Sequence, residues 1–223
     1  MTKELLVQAV IKFAAGIVLL GLLIFLPAGT VSYWNAWLLM GILFIPMLIL
    51  GIIMMRKNPD LLQKRLNAKE KESAQSIVVK LSGLMFVLGF VIAGLDFRFQ
   101  WLPLPDWVSW AAAAVFLLAY GMYAEVLREN TFLSRTVEVQ RNQTVIDTGL
   151  YGIVRHPMYS ATILLFLAMP LVLGSLISFL IFLLYPVIIA GRIRNEEKVL
   201  EAGLAGYAAY KQKVKYRIIP FIW

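Results

Sequence analysis

Residues 158–190 read MYSATILLFLAMPLVLGSLISFLIFLLYPVIIA, a run without one charged side chain. A membrane-spanning helix needs about 20 apolar residues, so the run is long for one span and tight for two. Pro170, Gly174-Ser175 and Pro186 interrupt it, and we read a helical hairpin turning near Gly174, with its helices tilted or slightly short. The chain enters the run through Gly149-Leu150-Tyr151-Gly152-Ile153-Val154-Arg155-His156-Pro157, which holds the one histidine, and leaves through Arg192-Ile193-Arg194-Asn195-Glu196-Glu197. A hairpin brings those two polar segments together at one membrane face. Pro157 suits the first helical position, and the N–H groups of the following turn are expected to face the polar side as an anion site. Tyr159 lies three residues after His156, so both should look out from one edge of that turn.

The rest of the chain supports a multi-pass membrane protein. Of its 223 residues 61% are hydrophobic and 15% charged, against about 25% charged in a soluble domain. The mean hydropathy is +0.78. Four further spans are read: Leu5 to Ala28, a second ending at Met55, Ile77 to Leu95 and Trp107 to Leu127. Together with the hairpin they make about six. Gly83 and Gly89 in the third should permit close helix packing. Tyr33, Trp34 and Trp37 mark an interfacial belt. Lys12 falls inside the first span and is expected to reach back to the near interface. The first segment reads as a retained helix rather than a cleaved signal peptide.

Arg56 to Ser76 is a polar loop with six basic residues, Arg56, Lys57, Lys64, Arg65, Lys69 and Lys71. Within it Asn58-Pro59-Asp60-Leu61-Leu62 reads as the capped start of a short helix. Asp96 to Asp106 reads as a short loop carrying Arg98. Glu125 is best placed to pair with Arg128. Val137 to Ile146 shows no helical period and reads as loop. Leu200, Leu204, Tyr207, Lys211 and Val214, at steps of three or four, predict a C-terminal amphipathic helix on the membrane or against the loops. The chain divides into 1–127, the first four spans, and 128–223, loop, hairpin and C-terminal helix.

A net charge of +8 is compatible with nucleic-acid binding, but the basic residues concentrate between apolar runs, as membrane topology requires. Six spans with both termini cytoplasmic satisfy the positive-inside rule. That arrangement gathers Arg155, His156, Arg194, Glu196 and Glu197 on one side. There is no cysteine, hence no thiolate nucleophile and no cysteine metal site. One histidine with carboxylates is a poor set for zinc, so no metal is expected. Neither a Gly-x-Gly-x-x-Gly fingerprint nor a Gly-Lys-Ser/Thr phosphate loop is present. What remains is a helix start, an arginine-rich turn and the Glu196-Glu197 pair. Taken alone, these could equally be interfacial charges that hold the hairpin ends at the surface.

From Asn130 to Pro220 the sequence resembles the membrane methyltransferases related to isoprenylcysteine carboxyl methyltransferase. Phospholipid N-methyltransferases share part of the pattern. The matching residues are Val139-Gln140, Thr148-Gly149-Leu150-Tyr151, Arg155-His156-Pro157-Met158-Tyr159, Arg194-Asn195-Glu196-Glu197, Leu200, Tyr207, Tyr210 and Ile219-Pro220. The resemblance implies S-adenosylmethionine as cofactor, with S-adenosylhomocysteine as product. Its pocket would be lined by Gln140, Thr144, Val145, Ile146, Tyr151, His156, Pro157, Met158 and Tyr159, and completed by Glu197. It also implies a lipophilic, prenylated or lipid substrate reached from the membrane. Arg194 would hold that substrate, with Arg192 as the other candidate, and Arg155 and Glu196 would lie at the reacting centre.

A carboxylate acceptor needs no general base, whereas an amine must lose a proton and would draw in Glu196 or Glu125. Carboxyl O-methylation is therefore favoured over phospholipid N-methylation. A non-enzymatic membrane protein that keeps the fold is the alternative of another class. Transport is disfavoured because the ionisable residues gather at one face, away from the midplane where a transporter site would lie.

Overall fold

In the computed structural model the chain is described over residues 3–66, 73–134 and 137–223. Lys69 and Lys71 lie outside these segments. The described residues form α1 (Lys3–Ala28), α2 (Trp34–Lys57), α3 (Pro59–Leu66), α4 (Ser73–Phe99), α5 (Asp106–Glu129), α6 (Pro157–Val172), α7 (Leu176–Phe182), α8 (Leu184–Gly203) and α9 (Tyr207–Lys213). Between α5 and α6 a single 3₁₀ turn spans Gly149–Gly152. Five stretches are long and apolar enough to cross a membrane: α1, α2, Ser76–Phe99, α5 and the α7–α8 stretch Leu176–Gly203. The sixth expected span, α6, has 16 residues and is shorter than the others. It is one arm of the expected hairpin, whose run was tight for two.

The exteriors of α1 and α2 expose large apolar side chains such as Ile11, Val18, Leu26, Ile45 and Ile49. On a soluble protein so broad an apolar surface would be a liability; here it is the surface that lipid covers. Inside, one core runs from Leu20 and Ile24 in α1 through Phe116 in α5 to Val172 and Phe182 in the hairpin. Small residues set the closest approaches. A Cβ on Gly94 would sit 2.5 Å from the Ile24 carbonyl oxygen of α1, and one on Gly89 would meet the Phe182 ring at 2.2 Å. Gly89 thus plays the expected packing role, while Gly83 faces open space with nothing within 4 Å.

The hairpin turns where the sequence placed it. Gly174 has φ +73°, a left-handed conformation that favours glycine. Its carbonyl accepts the Leu104 N–H at 2.9 Å. Ser175 caps α7, its Oγ accepting the Ser178 N–H at 3.2 Å, and donates its own proton to Asp96. Asn35 donates to Ser109 Oγ at 2.9 Å and to the Val172 carbonyl at 3.1 Å, and Tyr33 donates to the Leu173 carbonyl. These bonds tie the turn to α2, α4 and α5.

Two boundaries differ from the sequence reading. Asp96 belongs to α4 rather than to a loop, because Phe97 stacks on Tyr33 and draws the helix onward to Phe99. Asp96 is 1% exposed there, and the Leu102 N–H at 2.9 Å and the Ser175 hydroxyl satisfy its carboxylate. The expected single helix through Leu200 and Val214 is divided. α8 ends at Gly203, Gly206 reverses the chain at φ +86°, and α9 follows. The apolar periodicity still has a purpose, since Leu204, Tyr207, Tyr210, Val214 and Leu200 close a small core with Val139 and Val145 of the loop.

Other local readings hold. Asn58 caps α3 by accepting the Leu61 N–H at 3.1 Å. Arg128 pairs with Glu125 at 2.8 and 2.5 Å, and Lys12 reaches the carbonyl of Leu66 at the end of α3.

Gly94→Ala forces a methyl against backbone and should destabilise the fold by about 1–3 kcal/mol, the usual range for overpacking. Gly83→Ala should be neutral or slightly stabilising. Melting of the two variants in detergent checks this, and equal melting temperatures would contradict the α1–α4 contact.

Candidate active site

The approach to the hairpin is shaped residue by residue. Gly149, at φ +50°, leaves no room for a Cβ, which would lie 2.2 Å from Glu129 Oε1. Glu129 instead accepts the Thr148 hydroxyl at 2.9 Å and the Leu150 N–H at 3.3 Å. That fixes the 3₁₀ turn and buries Tyr151, whose hydroxyl accepts from Asn130 Nδ2 at 2.9 Å and whose carbonyl accepts from Tyr210 at 2.7 Å. Burial pushes the Tyr151 phenol well above its ordinary ionisation range, so it stays neutral. The next residues are held by the C-terminal segment: the Arg155 N–H donates to the Tyr216 carbonyl at 2.9 Å and the His156 N–H to Arg217 at 2.8 Å.

Glu197 stands at the centre of this arrangement, 3% exposed. Its Oε1 accepts Arg155 Nε at 2.8 Å, lies 2.8 Å from Arg155 Nη2, and is 3.3 Å from His156 Nε2. Its Oε2 accepts Arg217 Nε at 2.9 Å. Arg155 also donates through Nη1 to the Val214 and Lys215 carbonyls, both at 2.7 Å. The carboxylate therefore ties α8 to the start of α6 and to the chain after α9. A buried charge survives only when paired and hydrogen-bonded, and this one is.

Glu196, one residue earlier, faces the other way, into a cavity. Tyr159 donates to its Oε2 at 2.5 Å, and Arg192 Nε donates to the Tyr159 hydroxyl at 2.9 Å. His156 and Tyr159 share one edge, as their spacing predicted, with ring centroids 5.8 Å apart. The cavity holds about 820 Å³ including its open mouth. One wall is polar, with Arg155, His156, Tyr159, Arg192 and Glu196; the other is largely apolar, with Val145, Ile146, Leu200, Leu204 and the Tyr207 and Tyr210 rings. Phe132, Leu133 and Ser134 close a third side. Arg65 of α3 braces that side, donating to the Ser134 carbonyl at 3.3 Å and to the Tyr123 hydroxyl, and lying 3.7 Å from Met158 Sδ.

The residues singled out from sequence are thus brought together unequally. Thr144, Val145, Ile146, Tyr151, Arg155, His156, Met158, Tyr159, Arg192 and Glu196 line the cavity. Gln140 does not; its side-chain amide donates to the Phe132 carbonyl, and its own N–H is taken by Gln143 at 2.8 Å. Pro157 and Glu197 lie behind the wall, and Arg194 is exposed on the outer face of α8. The anion site expected at the start of α6 is not made of free N–H groups. The N–H groups of Tyr159 and Ser160 both bond the His156 carbonyl, at 3.0 and 3.2 Å.

Sequence reasoning missed Arg217 and the role of α3. Arg217 stands two residues before the quoted Ile219-Pro220, so its position in the pattern was the available signal. Nothing in the α3 sequence pointed to the cavity.

An all-helical membrane protein with a polar-walled cavity at the base of a hairpin is the class that fold and site define. Residues 110–202 match the family model described as the isoprenylcysteine carboxyl methyltransferase (ICMT) family. A solved structure of the eukaryotic intramembrane Ras methyltransferase ICMT, determined without a monobody, superposes with a TM-score of 0.58 at 18% identity. That similarity covers 94% of this chain and 75% of that one. The chain is thus ICMT-like from α5 to α8 and has the ICMT fold over nearly its whole length. No curated protein matches the sequence.

Glu197→Ala strands the Arg155 guanidinium in a buried site and should destabilise the protein by about 3–5 kcal/mol. Thermal unfolding in detergent checks it. A melting temperature unchanged from wild type would show that the carboxylate is not the tie described.

Proposed function

We propose that the chain transfers a methyl group from S-adenosylmethionine to the carboxylate of a lipophilic, prenylated-cysteine-like substrate. The observation that carries this reading is the cavity formed where the two resemblance motifs meet, both motifs lying inside the segment matched by the family model. The residues present suit the cofactor. The apolar wall of Val145, Ile146, Leu200 and Leu204 can take a nucleobase, and the polar wall offers both signs of charge to a zwitterionic amino acid. When bound, the cofactor supplies a methyl group already activated by its sulfonium.

The protein's own part is alignment and exclusion of water. Of the two arginines suggested by the resemblance, Arg192 fits the substrate role better, since it lines the cavity while Arg194 faces outward. The chain Arg192 Nε–H to Tyr159 O–H to Glu196 fixes the plane of its guanidinium, which suits two-pronged recognition of a carboxylate. The Arg155 donors are committed to Glu197 and two carbonyls, so its part is to position the cavity wall. Glu196 already accepts the Tyr159 proton, which disfavours it as the base an amine substrate would need.

Lys12, Lys64 and Arg65 converge on the cavity end of the molecule through α3, and the positive-inside rule makes that end cytoplasmic, with both termini there. A lipid tail would reach the site laterally from the bilayer.

Purified protein should bind S-adenosylhomocysteine by calorimetry and transfer radiolabelled methyl to an S-prenylated N-acetylcysteine, but not to phosphatidylethanolamine vesicles. Arg192→Lys should keep product binding while turnover falls about 100-fold, because a misplaced substrate loses alignment. Labelling of phosphatidylethanolamine would replace the carboxylate reading, and absence of cofactor binding in folded protein would remove the enzyme reading.

A further inference from the structure

Tyr207 opens α9 with its side chain against the cavity, and it is 4% exposed. Its hydroxyl makes no hydrogen bond within the described protein. Its neighbour Tyr210, equally buried, has its hydroxyl committed to the Tyr151 carbonyl. A buried phenol left without a partner is costly, and a group entering the cavity that accepts its proton would remove that cost.

The surroundings restrict what that ligand group can be. Burial, then the charges of Glu197 and Glu196, push the Tyr207 phenol well above its ordinary range, so it is a neutral donor seeking an acceptor. A carboxylate accepting from Tyr207 would have no proton to give Glu196, and an ammonium has no lone pair to offer. A ring nitrogen can accept from Tyr207 but gives nothing to Glu196. A hydroxyl can do both, accepting from Tyr207 while donating to the Glu196 carboxylate, which lines the same cavity. Resting on the methyltransferase reading above, we infer that Tyr207 and Glu196 together hold the ribose hydroxyls of the cofactor. The amino-acid end is left to the His156 side of the cavity.

The test compares two probes, S-adenosylhomocysteine and 5′-methylthioadenosine, which keeps the ribose and lacks the amino acid. Tyr207→Phe, which removes one oxygen, should weaken both by roughly tenfold, the usual scale for one buried hydrogen bond. Equal binding by wild type and variant would overturn the inference. So would a loss confined to S-adenosylhomocysteine, which would assign the hydroxyl to the amino-acid end. A second arm needs no variant: wild-type protein should bind the 2′,3′-dideoxy form of methylthioadenosine far more weakly, and undiminished binding also overturns the assignment. Wild-type protein that binds no nucleoside probe at all would instead defeat the methyltransferase reading, and this one with it.

Discussion

The Glu197 carboxylate is the point on which the cavity end of the molecule depends. It sits in a long helix, yet its partners come from the start of another helix and from the chain beyond α9. Three cationic or histidine side chains converge on two oxygens, and one of them, Arg155, extends the tie to two backbone carbonyls. Such a site tolerates no half-measures, since each group removed leaves another buried charge without a partner. The same constraint orients Glu196. With Glu197 fixed inward, its neighbour on the helix must face a different direction, and that direction is the cavity.

The opposite end of the hairpin solves a similar problem without a cation. Gly174, Ser175, Asp96, Asn35 and Tyr33 interlock through hydroxyl, amide, carboxylate and backbone groups, with the four side chains buried. The hairpin is thus pinned at both ends, by ion pairs on one side and by hydrogen bonds without a cation on the other. Between them the packing relies on small residues at close approach, as expected where lipid offers apolar side chains no advantage over protein.

α3 shows how the two halves of the chain cooperate. The family match begins only in α5, yet the third cavity wall is braced by Arg65 of α3, between α2 and α4. The N-terminal helices therefore do more than span the membrane.

The sequence by itself determined the membrane class, five of the expected spans, the hairpin turn and its glycine, and the two motifs that meet at its base. Each rests on a local signal: an uncharged run, a residue suited to positive φ, a proline at a helix start. It also paired His156 with Tyr159 and Glu125 with Arg128, because three-residue spacing on a helix is geometry that composition cannot alter. Only the tertiary structure decided which of two adjacent glutamates faces the cavity, that Arg192 lines it while Arg194 does not, and that Tyr207 is left without a partner. Those outcomes depend on the rotation of α8 and the placing of α9, fixed by the turn at Gly206 and by Arg217 and the Val139–Val145 loop, the last two distant in sequence from the side chains they orient. Periodicity predicts that a helix has faces. Which face meets which neighbour is settled by packing.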